Sequence, residues 1–294
     1  MPHQSLLAAI KRRYALQFET TGRDMRDRVV LKWGGGLITE KDRLKTVRTD
    51  VLDQLAEQLH SCLKEGVDVI LVHGAGSYGH LKAKKYQLAE GFLSGVEFEP
   101  LTQHEAVTDV RNDMLELNQH VMESLTRRDI SAVALPPHQW ARGTGPQFQG
   151  DLSFFEQAPK GIVMVTFGDV VDCDGDKEFG ILSGDDIVKR LAAEIKGIKR
   201  LVFAMGGVEG VLASPPSEDN PTPELLSRLT KDDVFVGEHQ SYMDVTGGIG
   251  LKVRRGFETL EAGVEVWLVS GEVGIRVQEA CMGLPVVGTQ LLES

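Results

Sequence analysis

Residues 68–80 read DVILVHGAGSYGH, and few folds accommodate that order of residue types. Val69, Ile70, Leu71 and Val72 form an unbroken apolar run, β-branched and too short for a helix. Such a run suits a strand buried on both faces of a parallel sheet. It ends in Gly74, Ala75, Gly76 and Gly79, and the helix-forming 81–85 follows. Strand, glycine loop and helix together aim backbone N–H groups and a helix N-terminus at an anion, characteristically a phosphate. His80, at the end of the loop, can add a charge-assisted hydrogen bond to a phosphate oxygen. The competing reading is a tight βα turn with incidental histidines. The spacing is neither that of a P-loop nor that of a dinucleotide fingerprint.

The same arrangement recurs along the chain. Residues 28–33 predict a strand entering Gly34, Gly35 and Gly36, with Lys32 and Lys41 on either side. Two ammonium groups there can converge on a polyphosphate held by loop amides; otherwise the segment is a strand end and a flexible turn. Helical spacing appears over 49–65 and over 102–128, where Ala106, Val110, Met114, Leu117, Val121 and Leu125 form a stripe for a core or a dimer interface. Strands are expected at 130–135, 161–167, 200–205, 264–269 and 285–289. DCDGDK at 172–177 lacks a calcium loop's ligand pattern and is assigned as a turn. Before the helix at 186–196, Ser183 and Asp185 compete as caps, and Asp185 has the alternative of orienting lysines. A further glycine loop, 244–252, runs into a helix at 252–262. Repeated αβ units predict an α/β fold, an open and mostly parallel sheet with helices on both faces. Ligands then sit outside the strand carboxyl ends, where the glycine loops fall.

Composition narrows the function. The formal net charge of −11 does not favour a nucleic-acid partner. No apolar run approaches a membrane span. Three scattered cysteines, with no CxxC pair, support neither a disulfide framework nor a zinc site, and fit a reducing, cytoplasmic setting. Residues 1–28 form a basic N-terminal extension, with a helix expected near 4–17 that packs on the body.

Taken together, the motifs resemble the amino-acid-kinase superfamily and, within it, the isopentenyl phosphate kinases. HGAGSYGH at 73–80 is the most specific. KWGGGLITEK at 32–41, GDVV at 168–171, ILSGDD at 181–186 and DVTGGIGLK at 244–252 follow in order. The resemblance covers about residues 29–290. It implies an αβα sandwich, with an acceptor lobe at about 29–195 and a nucleotide lobe at about 196–294. It implies transfer of phosphate from ATP, with Mg2+, to isopentenyl phosphate, and a homodimer.

The resemblance also implies residue roles. Lys32, Lys41, His80 and Asp185 would be catalytic. Ala75, His80, Gly168 and Gly184 would bind the phosphate substrate. Lys32, Gly34, Gly35, Gly36, Gly76, Gly207, Gly248 and Lys252 would bind ATP, and no protein metal ligand is expected. Residues in 86–118 and 140–155 are candidates to line an apolar pocket for the substrate tail. The chain departs from the family pattern at Trp33, at Gly36 and in GGVEG at 206–210, where Thr-Asp-Val-Asp-Gly is usual. The alternatives are a related kinase for another phosphate or phosphonate, and a non-catalytic nucleotide- or phosphate-binding protein.

Overall fold

The computed structural model describes residues 27–40, 42–214, 217–233 and 248–293. The expected N-terminal helix near 4–17 and Lys41 lie outside them. In chain order the strands are β1 Arg28–Trp33, β2 Asp68–His73, β3 Ala132–Ala134, β4 Ala141–Arg142, β5 Gln149–Gly150, β6 Val163–Phe167, β7 Asp169–Asp172, β8 Phe179–Leu182, β9 Ile198–Met205, β10 Arg228–Leu229, β11 Glu265–Ser270 and β12 Gly288–Leu291. The α-helices are α1 Gly35–Ile38, α2 Thr49–Lys64, α3 Gly76–Lys85, α4 Gln103–Thr126, α5 Ser153–Glu156, α6 Gly184–Glu194, α7 Ile249–Leu260 and α8 Arg276–Met282.

Eight strands form one sheet in the order β10-β12-β11-β9-β1-β2-β6-β3. Every neighbouring pair is parallel except β11 with β12. β7 and β8 form a separate antiparallel hairpin, so DCDGDK is a turn as expected. The closing strand differs from expectation: it starts at Gly288, and Val287, ahead of it, is half exposed. Pro285 lacks the N–H that a ladder there would need.

β1 shows why the sheet is covered on both sides. Val29, Leu31 and Trp33 enter one core with α2, α3, α4 and α8. Val30 enters the other, with α6 and α7. Period-two alternation thus sends neighbouring apolar residues to opposite layers. The α4 stripe at 106, 110, 114, 117, 121 and 125 is fully used in the first core. A capping box of Thr102 and Glu105 starts that helix.

Strand order determines what meets at the carboxyl edge of the sheet. β1 lies between β2 and β9, so the loops after residues 33, 73 and 205 become neighbours.

Candidate active site

The first two glycine loops lie back to back. A β-carbon on Gly35 would stand 2.2 Å from the Gly76 nitrogen, and one on Gly74 would stand 2.5 Å from the Gly35 nitrogen. Gly76 has φ +50°, and a β-carbon there would come within 2.0 Å of Thr39 Oγ1. That hydroxyl donates to the Gly35 carbonyl at 2.8 Å and accepts from the Ser77 amide at 2.9 Å. Glycine is required at this junction because two main chains occupy the space of side chains. A third junction follows: a β-carbon on Gly206 would lie 3.0 Å from the Gly36 carbonyl oxygen.

Three charged side chains gather beside the loops. Lys32, the fifth residue of β1, projects to the α6 layer and donates to Asp185 Oδ1. Lys252, on α7, lies 3.6 Å from Asp185 Oδ2. Ser183 is the cap of α6, accepting from the Asp185 amide at 3.1 Å, which leaves the Asp185 carboxylate to the lysines. Lys32 is buried, and its pKa falls to about 8: desolvation pulls it down, while the Asp185 charge opposes. Asp186 pairs with Arg255 at 2.7 Å. Arg255 lies one turn beyond Lys252, so this pair fixes the two helices with Lys252 towards Asp185. Burial raises the pKa of Asp186, against the pull of Arg255. The sequence reading missed this pair; its one signal was the second aspartate of ILSGDD.

Gly168 and Gly184 join the site from the other side. A β-carbon on Gly184 would lie 3.2 Å from Lys32 Cε, and one on Gly168 would lie 3.2 Å from the Gly184 nitrogen. Gly168 donates its N–H to the His73 carbonyl at 3.1 Å. The two histidines of HGAGSYGH have different surroundings. His73 is buried, with Nδ1 3.1 Å from the Gly74 carbonyl oxygen and Nε2 3.3 Å from Asn118 Oδ1. Its ring stacks on Phe167, and burial lowers its pKa to about 4, so it is neutral. His80, partly exposed, lies five residues into α3, whose first residue is Gly76 in the loop itself. Ala75 is the N-cap.

On the other flank, Gly207 has φ +76°, and its amide donates to Glu272 at 2.7 Å. Glu272 also pairs with Arg48. Glu209 pairs with Arg276 at 2.9 Å. An open cleft of about 520 Å³ lies here, lined by Gly36, Thr39, Arg43, Arg48, Gly206, Gly207 and Glu272 among others. Gly248 is the N-cap of α7. Within 140–155, Trp140, Phe148 and Phe155 are buried against one another, so these side chains fill core and do not line an open pocket. Among the described residues, no group of histidine, cysteine or carboxylate side chains has the arrangement of a metal site.

The arrangement is one of glycine cradles, helix N-termini and paired lysines, suited to holding two phosphate groups. The amino acid kinase family model matches residues 27–270. The chain belongs to the amino acid kinase family, and it is a phosphotransferase. Its curated relatives are more specific. An isopentenyl phosphate kinase of Methanothermobacter thermautotrophicus is 29% identical over 90% of this chain and 98% of that protein. One from Haloferax volcanii is 34% identical over 77% of this chain and 86% of that protein. A solved isopentenyl phosphate kinase superposes with a TM-score of 0.74 at 25% identity, covering 90% of this chain and all of the other. An aspartate kinase from Synechocystis, 16% identical with a TM-score of 0.59, shares the fold.

Proposed function

We propose that this protein transfers the terminal phosphoryl group of ATP to isopentenyl phosphate, giving isopentenyl diphosphate and ADP. The observation that carries the reading is the meeting of two glycine loops beside the Lys32–Asp185–Lys252 cluster. The names of its relatives supply the acceptor.

In this reading Gly35, Gly36 and Gly76 cradle the β- and γ-phosphates through their amides, and Gly34, whose amide donates to the Ala204 carbonyl at 2.9 Å, holds the loop against β9 beside them. Gly207, Gly248 and Lys252 meet the nucleotide. His80 donates a hydrogen bond to the acceptor phosphate, supported by the backbone at Ala75, Gly168 and Gly184. An acceptor oxygen attacks the γ-phosphorus in line, and the bond to the ADP oxygen breaks. A phosphate monoester is already nucleophilic, so no general base is needed. Lys32, Lys252 and Lys41 neutralise the charge spread over the transferring group, and Asp185 keeps Lys32 and Lys252 aimed at it. Magnesium, entering with the nucleotide's phosphates, would supply further neutralisation of the transferring group.

The division into an acceptor lobe at about 29–195 and a nucleotide lobe at about 196–294 belongs to this reading. So do a homodimer and a cytoplasmic location. No described helix is long and apolar enough to cross a membrane.

The test is ADP release from magnesium-ATP with isopentenyl phosphate, beside dimethylallyl phosphate, a phosphonate and acetylglutamate. Turnover of isopentenyl phosphate that falls through acceptor KM in His80→Ala, and through kcat in Lys32→Met, is expected. Turnover confined to the phosphonate moves the acceptor assignment to that class. Nucleotide binding without turnover of any acceptor overturns the kinase reading.

A further inference from the structure

Asp113 sits in the middle of α4, almost wholly buried, and holds one lysine on each carboxylate oxygen. Lys45 Nζ lies 2.9 Å from Oδ1, and Lys82 Nζ lies 2.5 Å from Oδ2. The two lysines come from the segments that follow the two glycine loops. Lys82 is on α3, two residues after His80. Lys45 belongs to the segment that follows the first glycine loop. There the Glu40 amide donates to the Thr46 carbonyl at 2.9 Å, and Thr39 bridges Val47, making a hairpin.

Lys45 is held in an unusual way. Its φ is +50°, a conformation that costs a side-chain-bearing residue about 1 kcal/mol or more. Its side chain also pairs with Glu116 and lies 5.8 Å above the Tyr78 ring. Its hydrogen bonds to Glu116 and Asp113 push the ammonium pKa above the ordinary lysine value. Burial works against the charge on Lys82, and its bonds to Asp109 and Asp113 outweigh that effect. The hairpin main chain is laced to α3 as well: the Thr46 amide donates to Ser77 Oγ at 3.4 Å.

We propose that Asp113 is a positioning residue for phosphoryl transfer. Through Lys45 it fixes the hairpin that continues the first glycine loop, and through Lys82 it fixes the helix that continues the second. One buried carboxylate therefore braces the segments behind both phosphate cradles, whose main chains meet at Gly35 and Gly76. This rests on the phosphotransferase reading of the site. In-line transfer depends steeply on the alignment of the cradles, whereas ADP, which lacks the γ-phosphate and in the proposed function is held also at Gly207, Gly248 and Lys252, depends on it far less.

Asp113→Asn keeps the shape and removes the charge. Its kcat is expected to fall about thirtyfold, while the Kd for ADP, measured by calorimetry without acceptor, changes less than about threefold. Lys45→Met is expected to act in the same way, and the double variant is no worse than the more impaired single one. Amide exchange in the unliganded protein gives a reading independent of turnover: the Glu40 and Thr46 amides exchange at least about tenfold faster in Asp113→Asn. Should Asp113→Asn fail to fold, Lys45→Met, which leaves the Lys82 pair in place, carries both measurements. Faster exchange with unchanged kcat makes the cluster a structural anchor only and overturns the proposal. So does unchanged exchange, or additive losses in the double variant. A wild-type protein inactive on isopentenyl phosphate defeats the acceptor assignment instead, and the exchange result stands apart from it.

Discussion

Lys252 Nζ lies 3.6 Å from Asp185 Oδ2, the oxygen opposite the one that Lys32 engages. Two lysines from the first and last parts of the chain thus share one buried carboxylate. Asp185→Asn preserves the volume and leaves both ammonium groups without their counter-charge. The expected result is a kcat lowered by about a hundredfold or more. Circular dichroism must accompany the kinetics, because breaking a buried pair costs about 3–5 kcal/mol of stability.

Lys32 gives activity and stability opposite responses to alkaline pH. Its folded-state pKa is about 8, against 10.5 for an ordinary lysine. Charge neutralisation needs the ammonium form, so kcat/KM for nucleotide falls as pH rises through about 8. Between about 8 and 10.5 the unfolded chain holds a proton that the folded protein has released. Raising the pH across that window therefore favours the folded state, by up to about 3 kcal/mol. Denaturant titrations of wild type and Lys32→Met at both ends of the window isolate this contribution, which the variant lacks.

His73 and His80 separate in a different experiment. His73 is neutral in the folded protein, with a pKa near 4 against the usual 6.5. The unfolded chain takes up a proton first as pH falls from 6.5 towards 4, so stability is lost across that window, by up to about 3 kcal/mol. His73→Gln is expected to flatten the acid limb of unfolding and to keep acceptor KM within about threefold. His80→Ala raises acceptor KM and leaves the acid limb as it was. Equal effects on KM from both variants would contradict the division of roles.

Gly35→Ala and Gly207→Ala test the packing of the loops. A β-carbon at 35 meets the Gly76 main chain, whereas one at 207 meets nothing within 4 Å. Gly35→Ala is expected to cost about 1–3 kcal/mol of overpacking and most of the nucleotide affinity. Gly207→Ala carries only the penalty for φ +76°, about 1–2 kcal/mol. Thermal midpoints and ADP titration read both effects.

Much of the layered fold was legible because strand and loop signals are local. The run at 69–72 and its glycines announce a buried parallel strand and a turn without reference to anything distant. The gathering of Lys32, Asp185 and Lys252 was reached only through the family resemblance, since no local pattern brings residue 32 to residue 185. Cap competition between Ser183 and Asp185 was a true ambiguity in the sequence. Lys32 resolves it, by drawing the aspartate away from the helix end. Asp113 escaped notice because an aspartate inside a polar-and-apolar helix pattern looks solvated. Its burial depends on two lysines, one contributed 68 residues earlier by the hairpin. Trp140 and Phe155 were candidates for a pocket, but aromatic rings without helical or strand periodicity fill a core equally well.

The contact between Gly35 and Gly76 has a consequence for descent. Two segments touching main chain to main chain cannot diversify separately, because a side chain gained by one must be accommodated by displacement of the other. The pair constitutes a single heritable unit spanning 40 intervening positions. A library randomised at both sites and selected for turnover would return glycine at the two together, however freely the surrounding residues varied.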